Sequence, residues 1–134
     1  YAFRIAAELA RSDAGQKALS AKMLAKNTQV SYALTCKILQ KLGHAGIAES
    51  TMGPRGGWKL AKDPELILFG DLVEAVQGRV SVNRCLMGDY TCPLESQCPA
   101  HPKMAILQEK IDGFLNEFTL KEFVNTPANK GKTR

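Results

Sequence analysis

The sequence predicts a mainly α-helical fold with a small β-hairpin and one long helix standing apart from the main core. Three observations carry this reading. A helix starting at Ser31 follows a shorter one across a tight polar turn, a Pro- and Gly-rich turn at residues 52–57 separates two short β-prone runs, and an apolar stripe recurs at helical spacing from Met104 onward. Two short helices followed by a hairpin make the winged helix-turn-helix layout, and a long apolar-striped helix beyond such a unit reads as a dimerisation element.

Each element has its own local cause. Residues 1–11 place Tyr1, Ile5, Ala6 and Leu9 on one face, and Asp13-Ala14-Gly15 is expected to stop that helix. Ser20 is an N-cap for a helix through about Lys26 that buries Met23 and Leu24, and Asn27-Thr28-Gln29 forms the turn. Ser31 caps the next helix, which turns Leu34, Ile38, Leu39 and Leu42 inward and ends at Gly43 in a left-handed position. Its outward residues include Tyr32, Ala33, Cys36, Lys37, Gln40 and Lys41. Residues 47–51 and 58–61 are the strand candidates, and Trp58 is expected to plug the core beneath the hairpin. Residues 66–76 form a further helix with Leu68, Phe69, Leu72, Val73 and Val76 as its stripe, closed by Gly78. From about Lys103 the long helix carries Met104, Leu107, Ile111, Phe114, Leu115 and Phe118, and Thr119 to Glu122 is a capping-box pattern for a last short helix. The expected organisation is a DNA-binding unit over 1–77, a cysteine loop over 78–102, dimerisation and C-terminal helices over 103–125, and a polar tail over 126–134.

A length of 134 residues, 45% apolar and 23% charged, is that of one globular domain and excludes disordered and collagenous classes. No apolar run approaches the ~18 residues that span a bilayer, and no signal-peptide pattern opens the chain, so a cytoplasmic protein without a membrane partner is expected. Tyr1 stands where an initiator Met would, so further residues are expected to precede it. The net charge of +5 is uneven: residues 1–62 carry ten Lys and Arg against three acids, whereas residues 63–134 carry eight against ten. A basic half holding the helix-turn-helix fits a polyanion, and double-stranded DNA is the expected partner. The residues expected at that interface are Ser31, Tyr32, Lys37, Lys41, Arg55 and Lys59.

Three cysteines fall in one short loop. Cys85 and Cys92 are separated by six residues, Cys92 and Cys98 by five, and His101 follows Cys98 after two. Thiolates hold iron–sulfur clusters and zinc, and a neutral imidazole can complete either set. Structural zinc sites usually pair cysteines two to four residues apart, and none are so paired here, which favours a cluster over zinc or over three unrelated thiols. A thiol or electron-transfer enzyme would leave the basic half and the hairpin unexplained, so no enzymatic activity is expected. Cys36, alone on the outer face of its helix, reads as a surface residue, and His44 as a helix C-terminal one.

The run from Val30 to Leu42, the turn Gly53-Pro54-Arg55-Gly56-Gly57-Trp58, and the loop Cys85…Cys92-Pro93…Cys98-Pro99-Ala100-His101 together resemble the bacterial Rrf-type family of winged-helix regulators over residues 1–125. The resemblance implies a homodimeric transcription regulator, acting on a palindromic operator, that senses iron–sulfur supply, nitric oxide or redox state. It also implies one iron–sulfur cluster per subunit, 2Fe–2S in preference to 4Fe–4S. Cys85, Cys92 and Cys98 match the family's ligands, and His101 matches the histidine of the branch that regulates iron–sulfur assembly. The implied dimer interface is Met104, Leu107, Ile111, Phe114, Leu115 and Phe118. The chain departs from the family pattern at Met52, where Arg is usual, at Cys36, where that branch carries an acid, and in its long first cysteine gap.

Overall fold

The computed structural model describes residues 1–12 and 16–127, so the expected stop at residues 13–15 and most of the polar tail lie outside the described residues. Helices α1 (Ala2–Arg11), α2 (Ala21–Thr28) and α3 (Tyr32–His44) precede the hairpin strands β1 (Ala48–Thr51) and β2 (Gly57–Leu60). A 3-10 turn (Pro64–Leu66) leads to α4 (Phe69–Gln77), and beyond the cysteine loop come α5 (His101–Leu115) and α6 (Leu120–Asn125).

The core is built from one face of each of the first three helices. Ile5, Leu9, Leu24, Leu39 and Leu42 are fully buried, joined by Ile47, Leu60, Ile67, Leu72 and Leu120 from the later elements. Serines cap α2 and α3 as expected: Ser20 Oγ accepts from the Met23 amide at 3.2 Å and Ser31 Oγ from Leu34 at 3.3 Å. Helix α2 continues through Thr28, whose hydroxyl donates to the Leu24 carbonyl at 2.7 Å, and the turn falls on Gln29 in left-handed geometry (φ 56°).

Several inward assignments are corrected. Met23 and Leu34 are exposed, while Thr28 and Thr35 take the buried positions. A short helix wedged between two others buries a narrow strip, so one residue's rotation around the axis decides which neighbour faces in. Gly43 is helical and not the left-handed terminator. A Cβ there would sit 3.2 Å from the Trp58 ring, so its smallness lets the indole pack, and the left-handed residue is Gly46 at φ 69°. Trp58 is partly buried against the core, as expected.

The hairpin pairs antiparallel in the register Ala48↔Leu60 to Thr51↔Gly57. Leu19 adds a third edge through two 2.8 Å backbone bonds with Trp58, a pairing that only the folded chain brings about. The Leu19 carbonyl would lie 2.6 Å from a Cβ on Gly57, so glycine is required there. Helix α4 starts at Phe69, later than the expected 66, because Pro64–Leu66 forms its own turn with Leu66 exposed; Gly78 closes α4 as predicted. At the other end, Thr119 and Glu122 form the predicted capping box, and residues 67–69 pair with 118–120 through Phe69 N to Phe118 O at 2.9 Å and Leu120 N to Ile67 O at 2.8 Å.

The stripe on α5 divides. Met104, Ile111 and Leu115 are half-buried toward the chain's own body, whereas Leu107 and Phe114 are open to solvent. Phe118 lies beyond the helix end and joins an aromatic cluster, stacked edge-on with Phe114 at 5.3 Å and with Phe123 at 5.7 Å. The expected continuity of the stripe through Phe118 is therefore corrected: the chain turns at Asn116 and spends Phe118 on its own packing.

Candidate nucleic-acid interface and cysteine loop

The exposed face of α3 and the hairpin tip form the basic surface. Tyr32 and Lys37 are exposed on α3, and Arg55 is exposed at the tip. Lys22, Lys26, Lys37 and Arg55 make no ion pair among the described residues, so their charges are available to phosphates. The tip is a tight turn: Gly56 N donates to the Gly53 carbonyl at 2.9 Å, and a Cβ on Gly56 would press into the Thr51 carbonyl. Met52, next after the end of β1, is 99% exposed, an apolar side chain held in solvent, which sequence reading registers only as a departure from a basic pattern.

Three predicted interface residues have prior engagements. Ser31 Oγ is occupied as the α3 cap. Lys41 donates from Nζ to the Val76 carbonyl at 2.6 Å, tying α3 to the last turn of α4. Lys59 pairs with Glu49 at 3.1 Å, directly across the hairpin. Cys36 is half-buried one turn beyond Tyr32, and its side chain holds the Tyr32 phenol above its ordinary range.

The cysteine loop leaves α4 at Gly78 (φ 84°) and is ordered chiefly by short backbone turns. Cys85 lies in a 3-10 turn (Arg84–Leu86), the Cys92 carbonyl accepts from Glu95 at 3.2 Å, and the Cys98 carbonyl accepts from His101 at 3.3 Å. Arg84 stacks on Tyr90 at 4.8 Å across the first arc. All three thiols are free and half-buried, in a loop that leaves Met87, Tyr90 and Leu94 exposed. His101 opens α5, with Nε2 3.4 Å from a Glu95 carboxylate oxygen. Three soft donors and an imidazole, in a loop without an apolar core, are the donor chemistry of a thiolate-held metal group, so residue type fits. The side chains are not gathered: no three His, Cys, Asp or Glu side chains stand in ligating positions among the described residues.

Sequence reading missed Gln108, a buried residue of α5 whose side chain holds the start of this loop. Its Nε2 donates to the Val80 carbonyl and to Asp112 Oδ1, both at 2.8 Å, and its Oε1 accepts from the Val82 amide at 2.9 Å. Arg79 lies 3.7 Å from the same Asp112. The one available signal was a polar residue interrupting the inward face of an amphipathic helix.

No helix among the described residues is long and apolar enough to cross a membrane. Over the whole described length the chain has the fold of solved regulators. It superposes on CymR, the global cysteine regulator of B. subtilis, with a TM-score of 0.72 and 26% identity, over 92% of this chain and 90% of that one. It superposes on T. potens IscR with a TM-score of 0.71 and 19% identity, over 100% of this chain and 88% of that one, a likeness of fold alone. In sequence it is 36% identical to the HTH-type transcriptional regulator IscR of Klebsiella pneumoniae over 89 residues, 66% of this chain and 54% of that protein, so it spans about half of that relative's length. The family model that matches residues 1–126 is Rrf2, described as an iron-dependent transcriptional regulator, and regulators rather than enzymes make up the family. The winged helix-turn-helix, the basic face and the match over 1–126 lead to one conclusion: this chain belongs to the Rrf2 family of transcriptional regulators.

Proposed function

We propose that this regulator binds a palindromic operator as a homodimer and that Cys85, Cys92, Cys98 and His101 hold an iron–sulfur cluster that makes its DNA binding responsive to iron–sulfur supply, nitric oxide or redox state. The observation that carries the sensing part is the set of three free, half-buried thiols in the loop between the winged-helix body and α5. Such a cluster, when bound, supplies iron that oxidants and nitric oxide attack.

The chain's own residues do the rest. Lys37 and Arg55 neutralise phosphates, while Tyr32 and Gln40 on the outer face of α3 meet base edges in the major groove. Lys41 and Lys59 act indirectly, the first by fixing α3 against α4 and the second by bracing the hairpin. Leu107 and Phe114 supply the apolar seam between copies, with Met104, Ile111 and Leu115 beneath it. The loop joins the DNA-reading body to that seam, so a change in its conformation alters how two recognition helices are spaced. The palindrome, the dimer and a cytoplasmic location belong to this reading together.

Anaerobic purification with iron, sulfide and zinc analysis beside a visible spectrum tests it. A brown protein with iron and sulfide, colourless after Cys85→Ala, Cys92→Ala or Cys98→Ala, and spectrally shifted after His101→Ala, is the expected result. Colourless protein carrying stoichiometric zinc, or no metal, overturns the cluster assignment and leaves a winged-helix regulator without this sensor.

A further inference from the structure

Helix α5 makes sparse contact with the body of its own chain, yet its direction determines where a second copy sits. Of its fifteen residues, Gln108 alone is fully buried, at 5% exposure. Its side-chain amide does what a neighbouring β-strand would do. It donates to the Val80 carbonyl and accepts from the Val82 amide, leaving one N–H for Asp112, which in turn faces Arg79. Among the described residues, 79–82 have no backbone partner in helix or sheet, so these side-chain bonds are what ties the half-buried start of the loop to α5.

A second attachment lies at the far end of the helix. Asn116 packs on Gly70 of α4, where a Cβ would come 2.6 Å from the Asn116 side-chain oxygen, and the Phe118 carbonyl accepts from Phe69. One attachment leaves a helix free to swing. Two, eight residues or about 12 Å apart along the axis, fix its direction.

We infer that Gln108 is a positioning residue: by locking residues 80–82 to α5 it sets the angle at which α5 leaves the winged-helix body, and so the half-site spacing that the dimer accepts. The inference rests on the dimer reading proposed above. An apolar residue would fill the same space but could neither donate to the Val80 carbonyl nor accept from the Val82 amide, as this amide does. Cys85 follows Val82 by three residues, so the same lock places the first cysteine relative to the dimer helix.

The test uses the anaerobically purified full chain, an operator selected by the wild type from random duplexes, and a series of duplexes whose half-site separation varies in one-base-pair steps. Gln108→Met keeps length and volume and loses the amide. Sedimentation gives the oligomeric state, and hydrogen exchange reads the Val82 amide. The wild type is expected to prefer one spacing by about tenfold over its neighbours, and Gln108→Met to remain dimeric, exchange Val82 faster and discriminate by less than about threefold. Gln108→Leu, which also lacks the amide but is smaller, is expected to relax the spacing profile in the same way and is read in place of Gln108→Met if that variant does not fold. A dimeric variant with an unchanged spacing profile overturns the inference and leaves the dimer reading intact. A variant that loses the dimer itself also overturns it, and a monomeric wild type overturns both.

Discussion

Phe114→Ala separates a dimer helix from a helix that is merely amphipathic. Phe114 is 61% exposed and Leu107 43% exposed, so these fractions of each side chain are available to a second copy. Full burial of a Leu or Phe side chain is worth about 1.5–3 kcal/mol, and the middle of that range scales to about 1 kcal/mol for the open part of Leu107 and about 1.4 kcal/mol for that of Phe114. In a two-fold interface the same residue is lost from both sides. Phe114→Ala is therefore expected to weaken the dimer by about 2.8 kcal/mol, about a hundredfold in dissociation constant, and Leu107→Ala by about 2 kcal/mol, roughly thirtyfold. Phe114 also stacks on Phe118 at 5.3 Å within its own chain. Loss of that pair costs the monomer about 0.5–1.5 kcal/mol, which thermal melting reads separately. Sedimentation equilibrium over a wide concentration range measures the effect, with Glu109→Ala, exposed on another side of α5, as the control. Wild-type association by both apolar variants, or equal weakening by the control, would refute α5 as the seam.

The charged residues divide by prior engagement. Lys37→Ala and Arg55→Ala are each expected to reduce the slope of log affinity against log salt by about one, whereas Lys41→Ala and Lys59→Ala leave it nearly unchanged, as fluorescence anisotropy at several salt concentrations will show. Gly56→Ala drives a Cβ against the Thr51 carbonyl and to 2.9 Å from that of Gly53, so the hairpin tip must open. DNA affinity is expected to fall by at least about tenfold with the melting temperature shifted by only a few degrees; a variant that binds like wild type shows that the tip does not touch DNA.

Features specified within a few residues were legible in the sequence. The serine caps of α2 and α3, the capping box at Thr119, the turn at 52–57 and the stop at Gly78 arise from groups no more than a turn apart, so the chain's local order contains them. The cysteine spacing and the lopsided charge were legible for the same reason: both are properties of composition along the chain.

What tertiary structure decided is which partner each side chain finds. Lys41 reads as a free cation on an outward helix face, and its engagement with Val76, thirty-five residues later, follows only when α4 docks on α3. Gln108 goes unnoticed in the sequence and becomes a lock once residues 80–82 lie beside it. Gly43 reads as a helix stop and proves to be clearance for Trp58. In each case the residue type allows several roles of similar local free energy, and packing against a distant segment selects among them. Sequence alone thus determined the order of elements, the serine caps and the chemistry of the donors, while the folded chain decided which charged side chains stay open to solvent, which apolar side chains stay exposed, and what holds the cysteine loop to the helix that follows it.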